Sequence, residues 1–73
     1  MTLEINAFWD DEAAVWVATS DDVPGLVTEA ATMESLIERL QVIIPELMAL
    51  NCGQTGPFSF HMIGERTAVA QAA

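Results

Sequence analysis

Few side chains in this chain could perform chemistry, and none of them forms a recognisable catalytic set. The carboxylates gather in Asp10-Asp11-Glu12 and Asp21-Asp22, while His61 and Cys52 are the only residues of their types. Clustered carboxylates suit a hard cation such as Ca²⁺, but the ligand spacing of an EF-hand loop is absent. We therefore predict no metal site, no cofactor and no catalytic residue, and we expect a protein that is not an enzyme.

The histidine and the cysteine have simpler interpretations than catalysis. His61 lies on an alternating segment with no second histidine and no nucleophile near it in sequence, so we expect a surface residue. Cys52 follows a helical pattern, and the negative end of a helix dipole does not favour a reactive thiolate. A single cysteine also excludes a disulfide within one chain.

The charge of the chain restricts its partners. Two arginines and eleven acidic residues give a net charge of −9 at pH 7. Phosphate repels such a chain, so we expect no direct DNA or RNA binding, whereas a basic protein would be steered towards it. Solubility alone is the alternative explanation of the charge. We assign partner binding to the acids predicted in loops: Asp10, Asp11, Glu12, Asp21 and Asp22.

The length indicates one domain, residues 1–73, of which we expect 66–73 to form a frayed tail. A chain this short hides only about 60% of the surface that its unfolded form exposes, so a monomer would be marginally stable. We therefore expect a homo-oligomer. The N-terminus does not resemble a signal peptide, and the longest apolar stretch, 40–50, is too short to span a membrane. These features favour a cytoplasmic protein without membrane contact.

Alternating apolar and polar residues predict strands over 3–9, 14–19 and 57–63. A further short strand, 26–30, follows the dipeptide Pro24-Gly25, which suits a type II turn. The turn and the alternation together place three strands before the long helical segment and one after it.

Apolar residues at helical spacing from Met33 to Met48 predict one helix, with Thr32 as its N-cap. Pro45 lies inside this stripe and removes one backbone hydrogen bond. We predict a kinked helix, with a break into two pieces as the alternative.

The order β-β-β-α-β predicts an α+β fold, in which a four-stranded mixed sheet with strand order 3-2-1-4 carries one helix on one face. For the first hairpin we predict that Phe8 pairs with Trp16, leaving the loop 11–13. That register puts Phe8 and Trp16 on the uncovered face of the sheet, and Val15 and Val17 beneath the helix. Because exposed aromatic residues usually mark an interface, we predict Phe8 and Trp16 at an oligomer interface, with an edge strand as the alternative site of self-association.

A set of local features resembles the N-terminal domain of HicB-like antitoxins: a strand with an aromatic residue, the turn Asp22-Val23-Pro24-Gly25, and Thr32 before an acidic helix start. The similarity is closest to a small stand-alone branch of uncharacterised bacterial proteins within that superfamily. It covers about residues 3–50, with 57–63 as the expected last strand. The resemblance implies a partial ribonuclease-H-like fold without that enzyme's acidic active site, and it implies homo-oligomers.

The same resemblance implies a function in a toxin–antitoxin system. In that superfamily the domain covers a small basic toxin that cleaves mRNA. We therefore expect a non-catalytic antitoxin-like domain that caps a basic protein partner. The alternative, of a different class, is a small structural or regulatory homo-oligomer that has no toxin partner.

Overall fold

The computed structural model describes residues 2–72, which form a four-stranded sheet with one helix packed on one face. The elements in chain order are β1 Thr2–Asp10, β2 Val15–Thr19, β3 Val27–Ala30, α1 Met33–Cys52 and β4 Ser59–Glu65. The strands lie in the order β3-β2-β1-β4, and β4 runs parallel to β1 while the other pairs are antiparallel. The predicted fold class, element order and strand order are confirmed.

Alternation along β1 decides which side chains the helix covers. Leu3, Ile5 and Ala7 are buried, and the residues between them are exposed. The helix contributes a matching row at every fourth position: Leu36, Leu40, Ile44 and Met48. Full burial of one such large apolar side chain contributes roughly 1.5–3 kcal/mol, so these two rows hold the helix on the sheet.

Both ends of α1 have clear causes in the sequence. The Thr32 hydroxyl accepts a hydrogen bond from the Ser35 N–H at 3.1 Å, which confirms the predicted N-cap. Gly53 ends the helix with a φ of 63°. The helix is continuous through Pro45, so the two-piece alternative is wrong. Pro45 gives no N–H to the carbonyl of Gln41, and both residues are exposed, so water can satisfy that carbonyl.

The Pro24-Gly25 turn is the type II turn that the sequence predicts. The Leu26 N–H donates to the Val23 carbonyl at 3.2 Å, and Gly25 has a φ of 81°. The Asn51 side-chain amide donates to the carbonyl of Pro24 at 3.0 Å. This bond ties the turn to the last part of the helix.

The register between β1 and β2 differs by one residue from the prediction. Trp9 pairs with Trp16, and Phe8 pairs with Val17. The loop therefore has four residues, 11–14, and its last residue, Ala14, has a φ of 55°. The predicted pairing of Phe8 with Trp16, and their placement on the same face of the sheet, are wrong.

The observed register covers the larger side chain. Trp16 lies on the helix side and packs against the core, whereas Val15 and Val17 lie on the uncovered face. This register gives the indole of Trp16, the largest side chain of β2, contacts with the core and with the Trp9 ring, while Val15 and Val17 remain half-buried. Its cost is the left-handed backbone of Ala14, roughly 1–2 kcal/mol for a residue with a Cβ.

The segment after β4 has no regular structure over residues 66–72, and Ala73 lies outside the described residues. The first residue of this segment is nevertheless held in place. The guanidinium carbon of Arg66 lies 3.9 Å from the centre of the Trp9 ring system. A frayed tail over 66–73 stays a prediction.

Candidate functional site

The two predicted acidic groups lie at opposite ends of the sheet. Asp10-Asp11-Glu12 begins at the last residue of β1, whereas Asp21-Asp22 follows β2 and contacts Glu4 near the start of β1. Asp10 lies six positions after Glu4 along the extended strand, which is about 20 Å at 3.3 Å per residue. The structure therefore does not bring the five predicted binding acids together.

Asp22 ties its loop to β1. Its carboxylate accepts a hydrogen bond from the Glu4 N–H at 2.8 Å, and the Ser20 hydroxyl donates to the Glu4 carbonyl. Because β2 ends at Thr19, no residue of β2 pairs with the backbone of Glu4. The side chains of Asp22 and Ser20 instead form the hydrogen bonds that the N–H and C=O groups of Glu4 would make to a neighbouring strand. Asp21 is exposed, and its carboxylate makes no hydrogen bond within the described residues.

The first hairpin uses two of its acids in the same way. One carboxylate oxygen of Asp10 accepts from the N–H groups of Glu12 and Ala13, at 3.0 and 3.2 Å. Asp11 accepts from the indole N–H of Trp9 at 2.7 Å. Asp10 and Asp11 therefore stabilise the hairpin, a role that the sequence alone did not distinguish from partner binding.

The sheet face opposite α1, which we call the open face, has no cover within the described part of the chain. Strand pairing and alternation place these apolar side chains on it: Phe8, Val15, Val17, Val27 and Ile63. Phe8, Val27 and Ile63 are 47%, 74% and 48% exposed. Exposed apolar side chains that adjoin one another on one face are a common sign of a protein–protein contact.

Carboxylates border the apolar part of the open face. One row across the four strands reads Glu29, Val17, Phe8 and Glu65, so an acid stands at each end of an apolar pair. Glu4 and Asp10 lie on the same face along β1. An apolar centre with a charged rim is the usual arrangement of a protein-binding surface. An interface role for Phe8 and Trp16 stays a prediction, and only Phe8 lies on the open face.

His61 also lies on the open face. Its Nδ1 atom is 3.4 Å from a carboxylate oxygen of Glu4, and both side chains are more than half exposed. The hydrogen-bond contacts of His61 within residues 2–72 include no hydroxyl and no thiol. Cys52, the last residue of α1, is exposed.

Residues 2–72 contain no group of three or more His, Cys, Asp or Glu side chains placed to hold a metal ion. In the same part of the chain, no helix combines the length and the apolar character needed to cross a membrane.

An aromatic cluster of Trp9 and Trp16 lies at the end of the sheet where β1 ends and β2 begins. The ring systems of Trp9 and Trp16 meet edge to face with centroids 5.5 Å apart, and Arg66 lies over Trp9. A shallow pocket of about 240 Å³ adjoins the cluster and is lined by Phe8, Trp9, Asp11, Glu65 and Arg66 among others. Our sequence reasoning missed this cluster, although an acid two residues after Trp9 and an arginine just after the last strand were available signals.

Comparison with known proteins adds one family and one solved structure. No curated protein matches the chain. The crystal structure of the hypothetical protein TTHA1013 from the extremely thermophilic bacterium Thermus thermophilus matches with a TM-score of 0.81 and 48% sequence identity, over 96% of this chain and 100% of that one. The family model described as a domain of unknown function, DUF1902, matches residues 2–72. The chain therefore belongs to the DUF1902 family.

Proposed function

We propose that this chain is a non-catalytic protein-binding domain whose open face holds a basic protein partner. The observation that carries the proposal is the row in which Glu29 and Glu65 flank Val17 and Phe8. The apolar pair offers a partner an area to bury, and the flanking carboxylates favour lysine or arginine at its rim.

The overall charge supports the same kind of partner. At −9, the chain attracts basic proteins over long range and repels nucleic acids and acidic proteins. Such attraction raises the association rate more than it raises affinity, while buried apolar contacts slow dissociation. The open face combines carboxylates, which speed association, with apolar side chains, which slow dissociation.

The resemblance to HicB-like antitoxins supports a more specific partner. In that superfamily the corresponding domain covers a small basic toxin that cleaves mRNA. We propose a partner of this class, held by the open face of the sheet. The loop acids have different parts in this proposal: Asp10, Asp11 and Asp22 bond within the chain, whereas the exposed Glu12 and Asp21 add to the negative charge that attracts a basic partner.

A pair of matched variants tests the proposal. The tagged full chain serves as bait in extracts of the organism that encodes it, and a retained basic protein is purified for calorimetry. Phe8→Ala should weaken its binding at least thirtyfold, the equivalent of about 2 kcal/mol for a central interface residue. The control is Leu50→Ala, which also truncates a large apolar side chain. Leu50 lies on α1 and is 81% exposed, so this variant should leave the affinity unchanged.

Two results would contradict the proposal. One is that the bait retains no basic protein. The other is that Phe8→Ala and Leu50→Ala bind the retained protein equally well. Either result would favour the alternative, a structural or regulatory homo-oligomer without a toxin partner.

A further inference from the structure

The outer edge of β4 has no strand partner within the described residues. A strand edge presents N–H and C=O groups that require water or another strand as partner. β4 has seven residues, whereas β3 at the opposite edge has four. The β4 edge is therefore the longer template for an added strand.

The sequence of β4 does not protect this edge. Natural edge strands are commonly guarded by lysine, proline or an inward-pointing charge. From Ser59 to Gly64 the strand contains no lysine, no proline and no carboxylate. The one titratable side chain in this stretch, His61, lies on the open face rather than towards the helix. Nothing in this stretch opposes the approach of another strand.

A groove runs between the β4 edge and the helix. Its volume is about 620 Å³, and its walls include Met33 and Ile37 from α1 and Phe60 and Met62 from β4. Phe60 and Met62 are only partly buried although they lie on the helix side of the sheet. A strand added beside β4 would place alternate side chains in this groove and complete their burial.

We propose that the β4 edge pairs with β4 of a second copy of this chain, antiparallel and about a twofold axis. The distribution of charge favours a second copy over a basic partner at this edge. Two chains of −9 repel each other over most of their surface, but Ser59–Gly64 carries no formal charge when His61 is neutral. A basic foreign partner would be drawn to carboxylates, and this stretch of β4 has none.

The pairing is consistent with the directions of the side chains. When the two sheet faces stay continuous, Phe60 and Met62 of one copy lie beside the same two residues of the other, on the helix side. The contact is the same patch on both chains, as a twofold interface requires. Two four-stranded sheets thus join into one, and each copy fills the groove of the other.

Sedimentation equilibrium of the full chain tests the proposal. At tens of micromolar, the parent should have twice the 7.9 kDa mass of one chain. Met62→Lys places a charge in the shared groove and should weaken the dimer at least tenfold, about 1.4 kcal/mol, while circular dichroism shows an intact fold. Val27→Lys makes the same charge change near the β3 edge and should leave the dimer unaffected.

A second measurement does not depend on how a variant folds. Isotope-filtered NMR on a mixture of labelled and unlabelled parent chains should show contacts between β4 residues of different chains. A monomeric parent would overturn the proposal. So would intermolecular contacts confined to Phe8, Val17 and Val27, or a dimer that Val27→Lys abolishes and a folded Met62→Lys retains.

Discussion

Trp9 and Trp16 lie opposite each other on β1 and β2, with ring centroids 5.5 Å apart and ring planes at 67°. Such an edge-to-face pair contributes about 0.5–1.5 kcal/mol beyond the area that it buries. Trp16 also packs against the core. Its Cζ3 atom lies close to Gly64 of β4, where a Cβ built on the glycine would be 3.6 Å away. The pair therefore joins β1 to β2 on the helix side of the sheet.

Replacing Trp16 by alanine should lower the free energy of unfolding by about 3 kcal/mol, since it removes a large side chain that packs on the core. The control is Val42→Ala on the exposed side of α1, where 61% of the residue is accessible and little change is expected. Urea denaturation followed by circular dichroism measures both. A loss below about 1 kcal/mol for Trp16→Ala would indicate that the indole is on the uncovered face, against the observed register.

Asp22 and Asp21 should behave differently although they are neighbours with the same charge. Asp22→Ala removes the carboxylate that bonds the Glu4 N–H, so it should lower the unfolding free energy by about 1 kcal/mol. Asp21→Ala removes an exposed carboxylate with no such bond and should change stability by less than about 0.5 kcal/mol. Equal losses for the two variants in urea denaturation would argue against a structural role for Asp22.

Ala14 is a position where glycine should stabilise the chain. Its φ of 55° is a left-handed conformation that costs a residue with a Cβ, and glycine removes this cost. We expect Ala14→Gly to raise the unfolding free energy by about 0.5 kcal/mol, because the gain exceeds the entropy lost. Ala13→Gly, in the same loop without a positive φ, should lower it by about 0.5 kcal/mol. Thermal melts that move both variants in the same direction would contradict this assignment.

Much of the fold can be predicted from the sequence because its signals are local. The apolar alternation of β1, the helical stripe and the Thr32 cap each depend on near neighbours in the chain. The register of the first hairpin does not. It depends on whether Trp16 gains more by packing against the core than Ala14 loses in a left-handed backbone, and neither term is visible in the alternation.

The candidate site was harder to predict for the same reason. The bonds of Asp22 to Glu4 and of Asn51 to Pro24 join positions 18 and 27 residues apart. Sequence patterns show that an acid is present in a turn, but they do not show which backbone group it bonds. The sequence predicted an uncovered face, but the side chains on it became clear only once the register had placed Val17, rather than Trp16, beside Phe8.

The proposed binding surface predicts a specific electrostatic effect. Glu29→Gln combined with Glu65→Gln removes both acids from the ends of the Val17–Phe8 row. With a captured basic partner, the association rate should fall several-fold at low salt and depend less on ionic strength, while the dissociation rate changes little.

The matched control neutralises Glu38 and Glu46, two exposed acids on α1, and changes the net charge by the same amount. Stopped-flow kinetics across a range of salt concentrations compares the two double variants. The account is contradicted if the helix pair slows association as much as the pair on the open face, because net charge alone would then explain the rate.

Methyl NMR of the full chain, titrated with the captured basic protein, tests most directly whether the open face is the binding surface. Valine, leucine and isoleucine methyl groups occur on both sides of the molecule, so the two sides act as internal controls. We predict that the signals of Val17, Val27 and Ile63 shift or broaden on binding, while those of Val42 and Leu50 on α1 stay in place. Shifts confined to Val42 and Leu50 would contradict the account, since they would place the partner on the helix.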